Sequence, residues 1–212
     1  MVTRKTPLAS RDSEATRTRI LDAAARVLAE GGPAAFGVNA IAREAGCDKV
    51  LVYRYFGGLE ALAEALGGRL DMWLDPAAPP PEALGRYGAS MAHLLHTYLA
   101  SLRGNALVRR ILAWELIASD ATVKALGAAK SAAVRRWFGG VRATAGTPPA
   151  GTDAPAVNAI LLAAAHHLAL RADTAGEFAG LDLTSAATWE RIERTMGRML
   201  NDAYPEAKES SL

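Results

Sequence analysis

Apolar side chains recur every three or four positions along most of the chain, which is the period of an amphipathic α-helix. The first such stripe runs from Ile20 to Leu28 and stops at the Gly-Gly-Pro sequence 31–33. Ser13 is the predicted N-cap of this helix. Residues 1–12 have no apolar period and are predicted to form a flexible basic arm. Since no stretch alternates in the manner of a β-strand, the pattern predicts an all-α protein.

The segment 37–56, GVNAIAREAGCDKVLVYRYF, predicts two short helices, 38–45 and 49–55, joined by a tight turn. Gly46 ends the first helix, because glycine adopts a left-handed backbone without steric cost. Asp48 is the predicted N-cap of the second helix. Two short helices joined in this way are typical of a helix-turn-helix whose second helix enters the major groove of DNA.

The second of these helices has one apolar face. Val52 and Phe56 lie four positions apart and are predicted to pack against Ile41 and Ala42. The remaining side chains point outward and, with Gly37 at the first N-cap, are the predicted DNA-binding residues: Gly37, Lys49, Val50, Leu51, Tyr53, Arg54 and Tyr55. A plain helical hairpin with rim aromatics is the alternative interpretation.

This segment resembles the DNA-binding signature of the TetR/AcrR family of bacterial transcriptional regulators. The matching positions are Ile41, Ala42, Ala45, Gly46, Tyr53, Tyr55, Phe56, Glu60, Ala61 and Leu62. The chain departs from the family pattern at Gly37, at Val50 and Leu51, and at Leu59. The resemblance implies DNA contacts at Lys49, Tyr53 and Tyr55, and a ligand-responsive regulator, usually a repressor, that binds its operator as a homodimer.

The pattern after the helix-turn-helix predicts a connecting helix over 59–74 and a proline-rich boundary at 75–81. The predicted domains are a basic arm 1–12, a helix-turn-helix domain 13–58, a connecting helix 59–75, a ligand-binding and dimerisation domain 82–204, and a tail 205–212. The helix count is about nine.

Helical stripes continue to the end of the chain. A helix over 82–103 carries no charge between Arg86 and Arg103 and is therefore predicted to be central and buried on several sides. Its predicted apolar stripe is Leu84, Tyr87, Met91, Leu94, Leu95, Tyr98 and Leu102. Asn105 and Asp120 are the predicted N-caps of the two helices that follow.

The last two helices have the pattern that a four-helix dimer interface needs. Residues 153–172 are apolar nearly all round, whereas 185–203 has one clean apolar stripe. The resemblance implies that these helices join two subunits. The predicted interface residues are Ile160, Leu161, Ala164, Leu168, Trp189, Ile192, Met196 and Met199.

Histidines and aromatic residues in the predicted C-terminal domain are candidates for a small-molecule pocket, because a buried imidazole requires a hydrogen-bond partner. The predicted ligand-binding residues are His93, His96, Trp114, Glu115, Trp137, Phe138 and His167. Packing in the core or at its rim is the alternative for each. His93 and His96 could also share a metal ion, but the Glu-x-x-His motif of helical metal sites is absent. We expect no metal and no cofactor.

Charge and cysteine content narrow the function classes. The net charge is +2, and residues 1–75 carry ten basic and ten acidic side chains, which argues against a protein that coats nucleic acid without sequence preference. The single cysteine, Cys47, forms no intramolecular disulfide; it is predicted to be a small buried hydrophobe, with redox sensing as the alternative.

The sequence contains no signal-peptide pattern, and its longest uncharged apolar stretch, 154–170, is shorter than a membrane span. We therefore expect a cytoplasmic protein. No catalytic constellation is present, so we expect no enzyme. The sequence predicts a ligand-responsive regulator that binds double-stranded operator DNA as a homodimer. Two alternatives stay open: a helical small-molecule-binding protein without operator binding, and a helical-bundle metal protein or enzyme.

Overall fold

The computed structural model describes residues 8–69 and 80–205, and this part of the chain is almost entirely helical. Its helices are α1 (Leu8–Gly31), α2 (Val38–Glu44), α3 (Lys49–Phe56), α4 (Leu59–Gly68), α5 (Tyr87–Gly104), α6 (Ala106–Ile117), α7 (Ala121–Ala145), α8 (Ala154–Thr174) and α9 (Ala186–Ala203). A hairpin of two short strands, β1 (Glu177–Phe178) and β2 (Leu181–Asp182), lies between α8 and α9. The predicted all-α fold is confirmed.

Contacts divide the chain into two units. The first unit contains α1 to α4 together with Arg110–Ala132. Of the described residues, 80–109 and 133–205 form the second unit. Helices α6 and α7 therefore contribute residues to both units. The first unit holds the helix-turn-helix, and the second is a helical domain. The predicted domain bounds stay predictions. They placed residues 110–132 in the C-terminal domain, whereas contacts group these residues with the first unit.

The core of the first unit follows the predicted stripes. Ile20, Leu28, Ile41 and Val52 are completely buried, and Phe56 is nearly so. Helix α1 nevertheless begins at Leu8, so Ser13 lies within the helix and the predicted cap there is wrong. Once a helix is nucleated, each added polar residue costs little, and therefore the absence of an apolar period did not mark the helix start.

Helix α4 ends sooner than the pattern predicted. It stops at Gly68, and Arg69 follows as its C-cap. Leu62 and Leu66 are buried as expected. The predicted continuation to 74, and most of the proline-rich boundary, lie outside the described residues. Gly67 allows α4 to lie close to α7, since a Cβ atom there would be 2.4 Å from the carbonyl oxygen of Leu126.

The second unit is built around α5, which packs along α9 and against α8. Tyr87, Leu94, Tyr98 and Leu102 are buried on its predicted stripe. The helix begins at Tyr87 rather than at residue 82, because Gly85 takes a left-handed conformation with φ of 75°. Leu84 precedes this turn and is exposed, so its predicted place on the stripe is wrong.

Helix α5 is also less enclosed than predicted. His96 and Ala100 are exposed on the face opposite the stripe. The absence of charge therefore did not indicate burial on several sides, because short uncharged side chains are tolerated at a surface.

Local signals at other helix ends were predicted correctly. Asn105 Oδ1 accepts a hydrogen bond from the backbone N–H of Leu107, at 3.0 Å. Asp120 Oδ1 accepts one from Thr122, at 2.9 Å. Both side chains thus satisfy amides that a helix N-terminus leaves without partners.

The connection between α8 and α9 contains the hairpin. Ala179 and Gly180 both have positive φ, 50° and 77°, which is the backbone of a two-residue hairpin turn. The strands have only two residues each, too few for an alternating pattern to be visible in the sequence.

Candidate functional site

The turn between α2 and α3 is set by three neighbouring residues. Gly46 has φ of 61° and lets the chain leave α2. Cys47 follows and is half-buried, so its predicted burial is wrong. Asp48 Oδ1 then accepts a hydrogen bond from Val50 N at 2.8 Å and caps α3, as predicted. Gly37, the N-cap of α2, contributes no side-chain hydrogen bond.

One face of α3 belongs to the core. Val52 and Phe56 are buried, as are Ile41 and Ala42 of α2, and the two helices contact each other. Gly57 ends α3 in a left-handed conformation, with φ of 82°. The orientation of α3 is therefore fixed by the apolar pair on its inner face and by defined residues at both ends.

The other face of α3 is open to solvent. Val50 is 62% exposed and Tyr53 is 53% exposed. Lys49 and Arg54 are also exposed, whereas Leu51 and Tyr55 are half-buried. Among the described residues, the side chains of Lys49 and Arg54 make neither a hydrogen bond nor an ion pair. The face thus presents two cations, a tyrosine and a branched apolar side chain.

Helix α1 stabilises this arrangement from behind. The Arg17 guanidinium lies 5.0 Å from the centroid of the Phe56 ring, a cation–π contact at the end of α3. Arg26 of α1 pairs with Glu44 at the end of α2, with 2.6 Å between Nε and Oε1. Arg17 was not among the predicted site residues, since only the fold brings it to Phe56.

Two of the predicted ligand-binding residues lie in the first unit. Trp114 packs edge-to-face with Phe36, with 5.5 Å between ring centroids. Glu115 forms an ion pair with Lys130. A Cβ atom on Gly127 would lie 2.6 Å from Glu115 Oε1, so the glycine leaves the space that this carboxylate occupies. Both side chains have structural partners in this unit.

The predicted histidines of the second unit lie in different surroundings. His96 is on the surface, with its Nδ1 3.0 Å from Glu193 Oε2. His167 packs edge-to-face with Phe178 of the hairpin, at 4.6 Å between centroids. His93 is half-buried. The structure does not bring these three side chains together around one space.

An aromatic cluster lies inside the second unit. Trp137 and Phe138 pack edge-to-face at 4.8 Å between centroids, and both lie against Tyr98. The Tyr98 hydroxyl is 2.6 Å from Nε2 of His166. Packing explains this cluster, which was the alternative interpretation for each of its aromatic residues.

A small cavity, partly open to solvent, lies between α5, α7, α8 and α9. Its volume is about 20 Å³, which is room for about one water molecule. The cavity is lined by Met91, Leu95, Phe138, Asn158, Leu161, Leu162 and Leu200. Phe138 is the member of this set that was predicted from the sequence. Asn158 was missed, although it is the one polar side chain in the first two turns of the apolar helix α8.

Tyr204, just after α9, is tied to this cavity through Asn158. Its hydroxyl donates to Asn158 Oδ1 at 2.9 Å and lies 3.3 Å from the carbonyl oxygen of Ala154. Burial raises the pKa of Tyr204 to about 12, and the neighbouring Tyr87 acts in the same direction. The hydroxyl therefore stays a neutral donor over the physiological pH range.

The predicted interface residues differ in exposure, and Ala164 is half-buried. Ile160 and Met199 are 68% and 55% exposed. Leu161, Leu168, Trp189, Ile192 and Met196 are at most 8% exposed, and the single chain already covers them. The stripe of α9 is occupied by α5. The surface that these helices offer to a partner is therefore the outer face of α8 and Met199.

Across the ranges 8–69 and 80–205, no group of three or more His, Cys, Asp or Glu side chains is placed to hold a metal ion. None of the helices in these ranges has the length and apolarity that crossing a bilayer requires.

Comparison with known families bears on the first unit. A model described as "Bacterial regulatory proteins, tetR family" matches residues 20–66, from within α1 into α4. Residues 20–66 are therefore similar to the tetR family of bacterial regulatory proteins. The predicted resemblance is thus confirmed, and this family is one of regulatory proteins, not of enzymes.

Two relatives with the same kind of domain come from Mycobacterium tuberculosis, strains CDC 1551 / Oshkosh and ATCC 25618 / H37Rv. Both are described as uncharacterized HTH-type transcriptional regulators and are 47% identical to this chain over 58 residues. The matched segment covers 27% of this chain and 29% of each relative. The chain therefore matches less than a third of the length of these relatives.

Solved structures of similar fold cover nearly the whole chain. The fatty acid degradation regulator FadR from Bacillus halodurans has a TM-score of 0.63 at 15% identity, over 97% of this chain and all of its own. Salmonella enterica GusR has a TM-score of 0.60 at 20% identity, over 95% of this chain and 98% of its own. A TetR transcriptional regulator from Rhodococcus sp. RHA1 has a TM-score of 0.57 at 16% identity, over 93% of this chain and 99% of its own. The TM-scores show a common fold, and sequence identities this low show nothing beyond it.

Proposed function

We infer that this protein is a DNA-binding transcriptional regulator that binds a two-fold symmetric operator as a homodimer. A small molecule bound in the second unit would change its affinity for DNA. The resemblance to the tetR family favours repression as the mode of control. The two units would thus divide the work between reading DNA and sensing a ligand.

The outward face of α3 is the observation that carries this proposal. A solvated helix face normally carries charged and polar residues, yet Val50 is largely exposed beside Lys49 and Arg54. Cations without protein partners are suited to phosphate oxygens, and an exposed branched side chain is suited to a base edge. Gly57 and Asp48 fix both ends of this helix.

The outer face of α8 supports the homodimer. This helix has no charged residue from Ala154 to Leu170, and Ile160 is its most exposed large side chain. Ala156, Ala159 and Ala163 are also exposed, so the uncharged face is long and narrow. A second copy of the same helix fits such a face, because short side chains let two helices approach closely.

The side chains of α3 divide into two roles. Lys49 and the hydroxyls of Tyr53 and Tyr55 would hold phosphates and set the register on the duplex. Arg54 is able to pair bidentately with a guanine. Val50 and Leu51 have no hydrogen-bonding group, so what they would recognise is the methyl group of thymine. Since Val50 is far more exposed than Leu51, it would make the larger contribution.

The decisive experiment is an unbiased selection of DNA sequences bound by the purified protein. We expect an enriched palindrome with a thymine near a guanine in each half-site. Binding of the selected operator is then measured with thymine and with uracil, which lacks only the methyl group. Failure to enrich any sequence would show that the protein does not bind an operator.

Two variants test the division of roles. Val50→Ala should remove most of the preference for thymine over uracil, which we expect to be about 1 kcal/mol at one position. Leu51→Ala is the matched control and should change this preference less. Lys49→Ala should weaken binding to all sequences and lower the slope of log affinity against log salt by about 1. Equal thymine and uracil binding by the wild type would show that Val50 does not recognise the thymine methyl group.

A further inference from the structure

The uncharged outer face of α8 ends in a histidine. Four exposed residues follow one another at intervals of three or four positions and form one stripe along the helix: Ala156, Ile160, Ala163 and His167. The buried residues of α8 lie on the opposite side, where the helix packs against α5 and α9. The surface proposed above for a second copy therefore contains a titratable side chain at one end.

The hairpin of β1 and β2 stands next to this histidine. The rings of His167 and Phe178 pack edge-to-face, with 4.6 Å between their centroids. Hydrogen bonds fix the hairpin, because Glu177 Oε1 accepts one from Gly180 N at 2.9 Å and Arg171 Nη2 donates to the Glu177 carbonyl oxygen at 3.3 Å. Phe178 nevertheless stays 38% exposed. An ordered hairpin thus presents a phenyl ring to solvent beside the histidine.

The tip of the hairpin is strained. Ala179 has φ of 50° and is the one residue other than glycine with a positive φ in the part of the chain that the structure describes. This backbone conformation is costly for a residue with a Cβ atom, and such strain is concentrated at sites of function. Aromatic side chains are in turn enriched where proteins contact each other. Both observations indicate a contact surface at Phe178.

The charged side chains of these two elements have other partners. Arg171, one turn beyond His167 on α8, and the Glu177 carboxylate are engaged within the hairpin as described. Asp182 Oδ1 accepts a hydrogen bond from Thr184 N at 2.9 Å. Helices α5 and α9 pack on the other side of α8. Across the described ranges, no carboxylate forms an ion pair with His167, so a charge on its imidazole would have no carboxylate partner under a second copy.

We propose that the second copy covers His167 and Phe178 together with the outer face of α8, and that the homodimer therefore depends on pH. Histidine changes its charge between pH 5 and pH 8. Neutral imidazoles fit an uncharged contact, whereas two protonated ones, one from each copy, would be buried without partners. The dimer is favoured at pH 8 and weakens as the pH falls. This proposal rests on the homodimer inferred above and adds a second element and a form of regulation to it.

Sedimentation of the full chain without DNA tests the pH dependence. The dissociation constant of the dimer should be about tenfold higher at pH 5.5 than at pH 8, with the monomer still folded by circular dichroism. Equal constants at the two pH values would overturn this proposal and leave the homodimer standing. A wild type that is monomeric at both pH values would refute the homodimer, and this proposal with it.

Variants assign the pH dependence to one histidine. His167→Phe cannot be protonated and keeps an aromatic ring against Phe178, so its dissociation constants at the two pH values should be about equal. His96→Phe removes another exposed histidine, on α5, and should keep the tenfold ratio. If His167→Phe aggregates, His167→Gln is a second uncharged variant with the same expected result. A tenfold ratio that persists in the His167 variants would contradict the assignment.

The hairpin has its own test, at pH 8 alone. Phe178→Ser should raise the dissociation constant of the dimer about tenfold, because it removes an apolar contact with the second copy. Leu84→Ser is the matched control in the same unit, since Leu84 is also a large apolar side chain and is 49% exposed. This control should leave the dissociation constant unchanged. Equal constants for Phe178→Ser and the wild type would show that the second copy does not reach the hairpin.

Discussion

The orientation of helix α3 and the cavity of the second unit depend on different kinds of sequence information. The outward and inward faces of α3 follow from a glycine, a capping aspartate and an apolar pair within twenty residues of sequence. The cavity needs side chains from α5, α7, α8 and α9, which span residues 91 to 200. An exposed surface can therefore be placed by local signals, whereas an enclosed space depends on how several helices meet.

The same contrast explains why the structure does not bring the predicted ligand residues together around one space. His96 and Trp114 belong to helices with the right composition for a pocket, yet one is on the surface and the other is in the first unit. Composition selects residue types that suit a pocket, but it contains no information about which helix faces converge.

Leu161 and Ile160 are neighbours in α8, but the first is buried and the second is exposed. Leu161 is buried and lines the cavity, so Leu161→Glu should destabilise the fold by about 3–5 kcal/mol, as an unpaired buried charge does. Ile160→Glu is the matched control at an exposed site and should change the stability of the single folded chain by less than about 0.5 kcal/mol, apart from what the loss of the dimer removes. Urea unfolding measures both values.

Sedimentation of the same two variants tests the dimer. Ile160→Glu should be folded and monomeric at micromolar concentration, where the wild type is dimeric. A wild type that is already monomeric would refute the homodimer. A dimeric Ile160→Glu variant would exclude the outer face of α8 as the interface.

Gly67 and Gly68 provide a second matched pair, this time in the first unit. Gly67→Ala should cost about 1–3 kcal/mol, because the new Cβ atom would lie 2.4 Å from the Leu126 carbonyl oxygen of α7. Gly68→Ala meets nothing within 4 Å and should be neutral or stabilising by up to about 1 kcal/mol. Thermal unfolding distinguishes them, and equal effects would show that α4 and α7 are not in close contact.

The buried Tyr204 has a pH dependence that follows from its burial. Its pKa is about 12 in the folded protein, against 10.0 for an unperturbed tyrosine. The unfolded chain therefore loses this proton first as the pH rises. The contribution to stability is complete below pH 10 and disappears as the pH approaches 12, with a total on the order of 2 kcal/mol.

Urea unfolding between pH 9 and pH 12 measures this contribution. Tyr204→Phe should be less stable than the wild type at pH 9, through loss of the hydrogen bond to Asn158, yet should lose less stability on going to pH 12. Parallel curves for the two proteins would show that Tyr204 ionises equally in the folded and unfolded states.

Two N-caps give the smallest effect. Asp48 accepts a hydrogen bond from Val50 N, whereas Ser185, the N-cap of α9, makes no side-chain capping bond. Asp48→Ala should therefore cost about 1 kcal/mol, and Ser185→Ala close to nothing. A cost for Ser185→Ala as large as that for Asp48→Ala would mean that capping is not what distinguishes α3 from α9.

The sequence by itself determined the all-α fold, the caps at Asp48, Asn105 and Asp120, and which residues of α3 face outward. These features depend on helical period, on backbone conformations that glycine allows, and on side chains that bond amides two or three residues away. The spaced signature around Gly46 was enough to predict the resemblance to the tetR family.

Tertiary structure alone decided which apolar surfaces are already covered and where an interior space remains. The stripe of α9 has the pattern of an interface, but α5 occupies it. Packing places Arg110–Ala132 in the first unit, although these residues follow α5 in sequence. It also brings Phe138 and Asn158, which are distant in sequence, to one cavity. A periodic pattern predicts that one face of a helix is buried. Only the packing of the helices determines which element covers that face.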